Sequence, residues 1–354
     1  MKYLIVQDWP STHGNHAGMM HMCNLLKAKY PCEYEVIING CTPDIPWDGS
    51  IGVRQWNCLR RYVYERYIYP QNLIKLCQKP LKKLKEGDEV FLLEYLFPET
   101  SQLELAHYIR KNYPSIRLYA LSHLTPSFAE KKYPNYAYMV KKWSAPINKM
   151  LTLGTSLSEY FEKCGLSRSV ISTGFHYVDR EYYHSAEKLE NKSQLRIIAI
   201  GAMARNLQLL SKVVSATPDV EWIICKGRKN VDSLFLKRDN IHLLGFMEED
   251  ELRHQMSISD VSLSVMDDTI GSNVITTSLS MGLAQIVSNV GSIHDYCTTE
   301  NTMFCENNAD DFVNAIKLLN SNRELLASMK SNAEEHAKNF YIENVNHWFS
   351  SLND

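Results

Sequence analysis

The sequence predicts an α/β fold of two doubly wound, Rossmann-like domains facing across a cleft. Three observations predict it. The chain has 354 residues, about twice a typical domain. Strand and helix patterns alternate, stop at a polar stretch over residues 184–194, and then restart. The segment Ser259 to Tyr296 contains the clearest single unit, with apolar runs Val261–Met266 and Leu283–Val287 flanking a loop (267–271) and a helix from Ser272 to Gly282. A loop that ends on a helix N-terminus presents unpaired N–H groups and a positive dipole end, which suits phosphate. The same segment also fits one more strand–helix–strand unit with no ligand.

Each element follows from local pattern. Lys2–Val6 is a short apolar strand. The loop Pro10–Gly18 leads into a helix over Met19–Lys29, with glycines spaced G-x-x-x-G rather than as a dinucleotide fingerprint. Gly14 and Gly18 would let backbone approach a ligand, or form a plain turn. Strands are expected at Glu35–Ile38, Glu89–Glu94, Ile116–Leu121, Lys149–Leu153 and Ser169–Thr173, with helices at 54–85, 101–112 and from Gly154–Ser156 to Gly165. His123 follows a strand end, where open α/β sheets collect ligands. Beyond residues 184–194, strands fall at Leu195–Ile200, Glu221–Cys225, Ile241–Leu244 and Thr302–Cys305. Helices fall at 309–319 and 323–338, and an amphipathic segment at 340–352 closes the chain. An acidic start, Glu248–Glu251, marks a helix N-terminus by its dipole preference.

Composition is that of a globular protein, with 45% apolar and 22% charged residues. No signal peptide or membrane-length apolar run is visible. Nine cysteines without a C-x-x-C pair fit reduced thiols in a cytoplasm better than a disulfide framework. The net charge of −2 conceals an asymmetry: residues 1–180 carry 23 Lys+Arg against 16 Asp+Glu, and residues 181–354 carry 15 against 24. Much of the positive charge lies in 54–85, where Arg54, Arg60, Arg61 and Arg66 are interleaved with Trp56, Tyr62, Tyr64 and Tyr67. A second such patch spans Lys131 to Trp143. Basic residues mixed with interfacial aromatics suit an anionic membrane surface. A solvated helical face with its aromatics turned inward is the alternative, and no nucleic-acid motif accompanies either patch.

Several motifs, in order, resemble retaining GT-B glycosyltransferases of the group 1 or family 4 type. Ser156-Leu157, Gly174–Asp179 and Tyr182-Tyr183 resemble the family's domain-junction segments. Ile198–Gly201 with Arg205-Asn206 resembles its phosphate loop. Leu243–Phe246 followed by Ser259–Val261, then Gly271–Gly282, then Val290–Tyr296 resemble its C-terminal signatures. The departures lie in side chains. Counting back from Gly282, Thr277 and Thr269 stand where the family carries glutamates. Ala202 replaces an arginine, and Arg205 falls where the family has lysine. Lys226, Arg228 or Lys229 could substitute for the missing cation.

The resemblance implies domains at 1–180 (acceptor side) and 181–338 (nucleotide-sugar side), with 339–354 packing back towards the first. It implies transfer of a hexose-type sugar from a UDP- or GDP-sugar to a glycan or lipid-linked acceptor with retention, in bacterial surface polysaccharide synthesis. Leaving-group charge must be stabilised there while an oxocarbenium-like centre forms. Arg205 and the amides of Ser272, Asn273 and Val274 would do so. Asp268 would stand in for the glutamate near the transferred sugar, and His123 would contact that sugar. Gly14 and Gly18 would approach the diphosphate or acceptor. Thr277 would meet the ribose with a hydroxyl, and Phe246-Met247 the base. No cofactor or metal is expected. The expected location is cytoplasmic, with peripheral contact to the inner face of the membrane. A catalytically weak binding or scaffold protein, or a sugar-nucleotide epimerase, are the other readings.

Overall fold

A computed structural model describes residues 1–9, 14–40, 50–185, 194–201, 205–235 and 238–353. Ala202, the start of the Pro10–Gly18 loop and most of the 184–194 linker lie outside them. The chain divides into two units. The first comprises residues 1–152, 158–174 and the chain end from Leu352; the second comprises 153–157 and 175–351.

The first unit is a six-stranded parallel sheet ordered β2-β1-β3-β4-β5-β6. Its elements in sequence are β1 (Lys2–Gln7), α1 (Met19–Lys29), β2 (Tyr34–Asn39), α2 (Ile51–Val63), α3 (Tyr69–Leu81), β3 (Glu89–Leu92), α4 (Gln102–Asn112), β4 (Arg117–Ser122), α5 (Pro126–Lys132), α6 (Tyr136–Ser144), β5 (Lys149–Thr152), α7 (Thr155–Lys163) and β6 (Ile171–Thr173). Covered on both faces, a parallel strand reads as a continuous apolar run, and every residue of β3 is buried. The basic stretch expected as one helix is two helices joined by a π-helical turn, Tyr64–Ile68. Such a turn shifts the phase of the faces. Hence α3 buries Tyr69, Leu73, Cys77 and Leu81, whereas Asn57 is the buried residue of α2. The Tyr69 hydroxyl donates to Gln7 (2.7 Å) and accepts from Asn39 (2.8 Å), pinning α3 to the ends of β1 and β2. The patch around Lys131–Trp143 forms α5 and α6. Tyr136, Val140 and Trp143 of α6 turn inward at helical spacing. Asn353, at the chain end, is hydrogen-bonded to Tyr119 and Glu89.

The second unit is also a six-stranded parallel sheet, ordered β12-β11-β10-β7-β8-β9. It contains β7 (Arg196–Ile200), α8 (Leu207–Ala216), β8 (Glu221–Cys225), β9 (Ile241–Leu244), α9 (Glu249–Ser257), β10 (Val261–Ser264), α10 (Asn273–Ser280), β11 (Ala284–Ser288), β12 (Thr302–Cys305), α11 (Ala309–Ser321), α12 (Arg323–Ala337) and α13 (Ile342–Ser350). The core gathers apolar residues of β7, β8, β10 and β11 against α8, α11 and α12, with Trp222 fully buried. α10 stops where the sequence predicts. Gly282 takes φ +68°, its N–H bonds Leu279 (3.0 Å), and the N–H of Leu283 bonds Ser278 (3.0 Å). This is a Schellman ending.

Candidate functional site

Strand order decides where loops part. In the second unit the chain leaves β7 for β8 and β9 on one side, then returns to the other side of β7 as β10. At such a switch point the loops diverge and leave a crevice at the carboxyl ends of the strands. Arg205 lies in the loop after β7, and its backbone forms an antiparallel bridge with Met266 after β10. The next residue fixes it there. The Asn206 N–H donates to Val265 O (3.0 Å), its side-chain amide donates to Asp267 (3.0 Å), and its Oδ1 caps α8 by accepting from Leu209 N–H (3.0 Å). The Arg205 Nε is buried and has no hydrogen-bond partner among the described residues. Burial pulls its pKa down to about 10, which still leaves a cation at neutral pH. A desolvated cation with an unused donor is costly, and an anion would relieve that cost.

On the other side of the switch point, the loop after β10 runs into α10. Gly271 takes φ +90°, and a Cβ there would sit 2.1 Å from the Tyr296 ring. Glycine therefore lets this loop lie against Tyr296. Ser272 is the N-cap; its hydroxyl accepts from Ile275 N–H (3.4 Å). Ser272, Asn273 and Val274 are partly exposed, and first-turn amides lack intrahelical acceptors. Asp268 is partly exposed, with Oδ1 3.0 Å from where a Gly291 Cβ would be. The same Cβ would sit nearer still to the Thr269 carbonyl oxygen, at 2.1 Å, so the close approach of loop backbone is what requires glycine at 291.

The two threonines at the glutamate positions are buried. Thr269 accepts from Gly271 N–H (3.0 Å) through its hydroxyl and from Ser292 N–H (2.8 Å) through its carbonyl. Thr277 donates to Asn273 O of its own helix (2.7 Å). Neighbouring hydroxyls also hold the scaffold: Thr276 donates to Tyr177 O (3.3 Å), and Ser278 to Ser262 (2.9 Å). The hydroxyls that make α10 look polar in sequence are largely committed to packing.

Lys226 follows β8 and forms an ion pair with Asp232. Phe246 follows β9 with its ring exposed and the Arg228 guanidinium 4.4 Å above it. Met247, beside it, is partly exposed. Arg205, Lys226, Phe246, Met247, Asp268 and the first turn of α10 all follow carboxyl ends of strands in one parallel sheet, so topology gathers them on one edge.

The first unit repeats this logic. Its switch point lies between β1 and β3. Trp9 follows β1, Glu94 follows β3 and His123 follows β4. The Trp9 side chain hydrogen-bonds Glu94. Nε2 of His123 is 3.4 Å from Glu94 Oε2, and the Phe97 ring lies 5.0 Å from the imidazole. Burial pushes the Glu94 carboxyl up to about 8, against the opposing pull of the Trp9 bond. Burial also takes His123 down to about 4. Both groups are therefore neutral at pH 7, so their proximity is not an ion pair. Gly14 has φ +76°, and among the described residues nothing lies within 4 Å of its Cβ position. Gly18 caps α1 and bonds Asn15 O (2.9 Å). Sequence reasoning passed over Glu94 and Trp9. The available signal was a carboxylate closing the apolar run Glu89-Val-Phe-Leu-Leu-Glu94 at a strand's carboxyl end.

Residues 174–336 match the family model for glycosyl transferases group 1. Solved structures align over nearly the whole chain. The architecture is of the GT-B type. A glycosyltransferase from Rickettsia africae is similar at TM-score 0.68 and 13% identity, over 100% of this chain and 98% of its own. Anabaena Alr3699/HepE in complex with UDP-glucose aligns at TM-score 0.70 and 11% identity, over 100% and 99%. A sucrose-phosphate synthase from Thermosynechococcus elongatus aligns at 0.67 and 12%, over 99% and 98%. No curated protein matches the sequence. The chain is thus glycosyltransferase-like, with the family match in the unit that carries Arg205 and α10.

Proposed function

We propose that the protein transfers a hexose-type sugar from a nucleoside-diphosphate sugar to a glycan or lipid-linked acceptor with retention, in bacterial surface polysaccharide synthesis. The observation that carries this reading is Arg205, a desolvated cation whose Nε–H has no partner among the described residues, at the switch point of the family-matched unit. The diphosphate would take that donor and the first-turn amides at Ser272, Asn273 and Val274. Phe246 and Met247 would receive the base. Lys226 would add positive charge, and Asp268 would stand beside the transferred sugar. His123, Gly14 and Gly18 belong to the acceptor-side unit in this reading. The UDP complexes of HepE support a UDP-sugar, with a GDP-sugar as the other donor. The reading calls for no metal, so transfer should persist in EDTA.

A panel of UDP, GDP and their sugars in thermal-shift measurements tests it. A rise in melting temperature with one nucleotide series, together with sugar transfer lost in Arg205→Ala, is the expected result. No shift with any nucleotide at millimolar concentration would overturn it. The buried threonines at 269 and 277 favour one rival, a catalytically weak binding protein. That rival predicts a nucleotide shift with neither transfer nor donor hydrolysis.

A further inference from the structure

The surface of α2 is unlike the rest of the first unit. Among its residues Asn57 is buried. Ile51 is 70% exposed and Trp56 60%, and Leu59, Tyr62 and Val63 are exposed as well. Trp56, Leu59 and Val63 recur at i, i+3 and i+7, so they form one stripe, and it lies across the helix from Asn57. Tyr67 and Ile68 extend the exposed apolar surface through the π-helical turn. Contiguous exposure of large apolar side chains marks an interaction surface rather than a solvated face. The alternative of aromatics turned to the core holds for Tyr69 of α3 but not for Trp56, Tyr62 or Tyr67.

Charge selects the occupant. Residues 50–83 include Arg54, Arg60, Arg61 and Arg66 and four lysines, with Glu65 as the sole acid. Arg61 already pairs with Glu65 at 3.5 Å. A second copy of this chain would bring like charges together. A surface of anionic headgroups would neutralise them, and Trp and Tyr rings suit the boundary between headgroup and acyl chain. No helix of the described residues is long and apolar enough to cross a membrane, so such a contact would be with the bilayer surface.

We propose that α2 is a membrane-docking helix, whose Trp56–Leu59–Val63 stripe enters the interface of a bilayer while its arginines hold anionic lipid headgroups. This contact is independent of the proposed sugar transfer.

Co-sedimentation with phosphatidylcholine vesicles, with and without about 30% phosphatidylglycerol, tests it. The full chain should bind the anionic vesicles at least tenfold more tightly than the neutral ones, with an affinity that falls as salt rises from about 0.05 to about 0.5 M. The double variant Trp56→Glu, Leu59→Glu should lose roughly tenfold or more in affinity. Its circular dichroism and urea midpoint should change little, because both side chains are more than half exposed. The triple variant Arg54→Gln, Arg60→Gln, Arg66→Gln should lose the preference for anionic lipid. Absence of binding to either vesicle would overturn the proposal, as would binding that the double variant leaves intact. Self-association abolished by the double variant, without vesicle binding, would assign the stripe to a second copy instead.

Discussion

Oε2 of Glu94 lies 3.4 Å from Nε2 of His123, with the carboxyl buried at the switch point of the first sheet. The two groups bias stability in opposite directions with pH. Glu94 titrates near 8 when folded and near its ordinary 4.5 when unfolded. Its contribution is fully present below the unfolded value and is lost as pH climbs from there through about 8. His123 titrates near 4 when folded and near 6.5 when unfolded. It therefore costs nothing above 6.5 and destabilises as pH falls through the window down to about 4. Glu94→Gln keeps the shape and removes the alkaline loss. Urea unfolding should show the variant gaining on the wild type by on the order of 1–3 kcal/mol between about pH 5 and about pH 8.5. A difference independent of pH would contradict a neutral Glu94.

Arg205 should cost the unliganded protein stability, because its charge is desolvated and its Nε lacks a partner among the described residues. Arg205→Met conserves much of the apolar stem. We expect the empty variant to melt no lower than the wild type, and inorganic pyrophosphate to stabilise only the wild type. Nucleotide affinity should fall at least tenfold, about 1.4 kcal/mol. Calorimetric titration beside thermal melts reads both effects.

Two glycines with positive φ make a controlled pair. Gly271→Ala drives a methyl against Tyr296, whereas Gly14→Ala meets no atom of the described residues within 4 Å. The first should lose on the order of 3 kcal/mol from strain and overpacking together. The second should lose about 1 kcal/mol from backbone strain alone. Equal losses in urea midpoints would show that Tyr296 does not limit the loop.

Asp295 accepts from the Thr155 N–H at 2.6 Å and from its hydroxyl at 3.0 Å; both residues belong to the second unit, so the carboxylate ties together two of its segments that lie far apart in sequence. Asp295→Ala should cost about 1–2 kcal/mol, and Asp295→Asn about half of that. Chemical unfolding of the three proteins compares them.

Central strands such as β8 were legible because parallel strands covered on both faces read as apolar runs, and the edge strands β9 and β12 because they keep short apolar runs though only partly buried. Glu221–Cys225, Ile241–Leu244 and Thr302–Cys305 have the observed bounds of β8, β9 and β12. The helix Met19–Lys29 does too. The patch Lys131–Trp143 was less legible. α5 and α6 are short and mix aromatic with basic residues, and their inward and outward faces are set by what they pack on. In the candidate site, the start of α10 stood out because a helix N-terminus is a local feature, and Arg205 because Ile198–Gly201 with Arg205-Asn206 resembles a family's phosphate loop. Glu94 did not, because a carboxylate acquires a raised pKa only from the walls around it.

Sequence alone determined two parallel α/β sheets and the stop of α10 at Gly282, where the positive φ of the helix ending favours glycine. Such features depend on residue type and on neighbours within a few positions. Tertiary structure decided the rest. It buried the Thr277 hydroxyl in a bond to its own helix, left the Arg205 Nε without a partner among the described residues, set Glu94 against His123 and turned Trp56 outward. Desolvation and hydrogen-bond partnership are properties of packed surroundings, and those surroundings come from segments far apart in the chain.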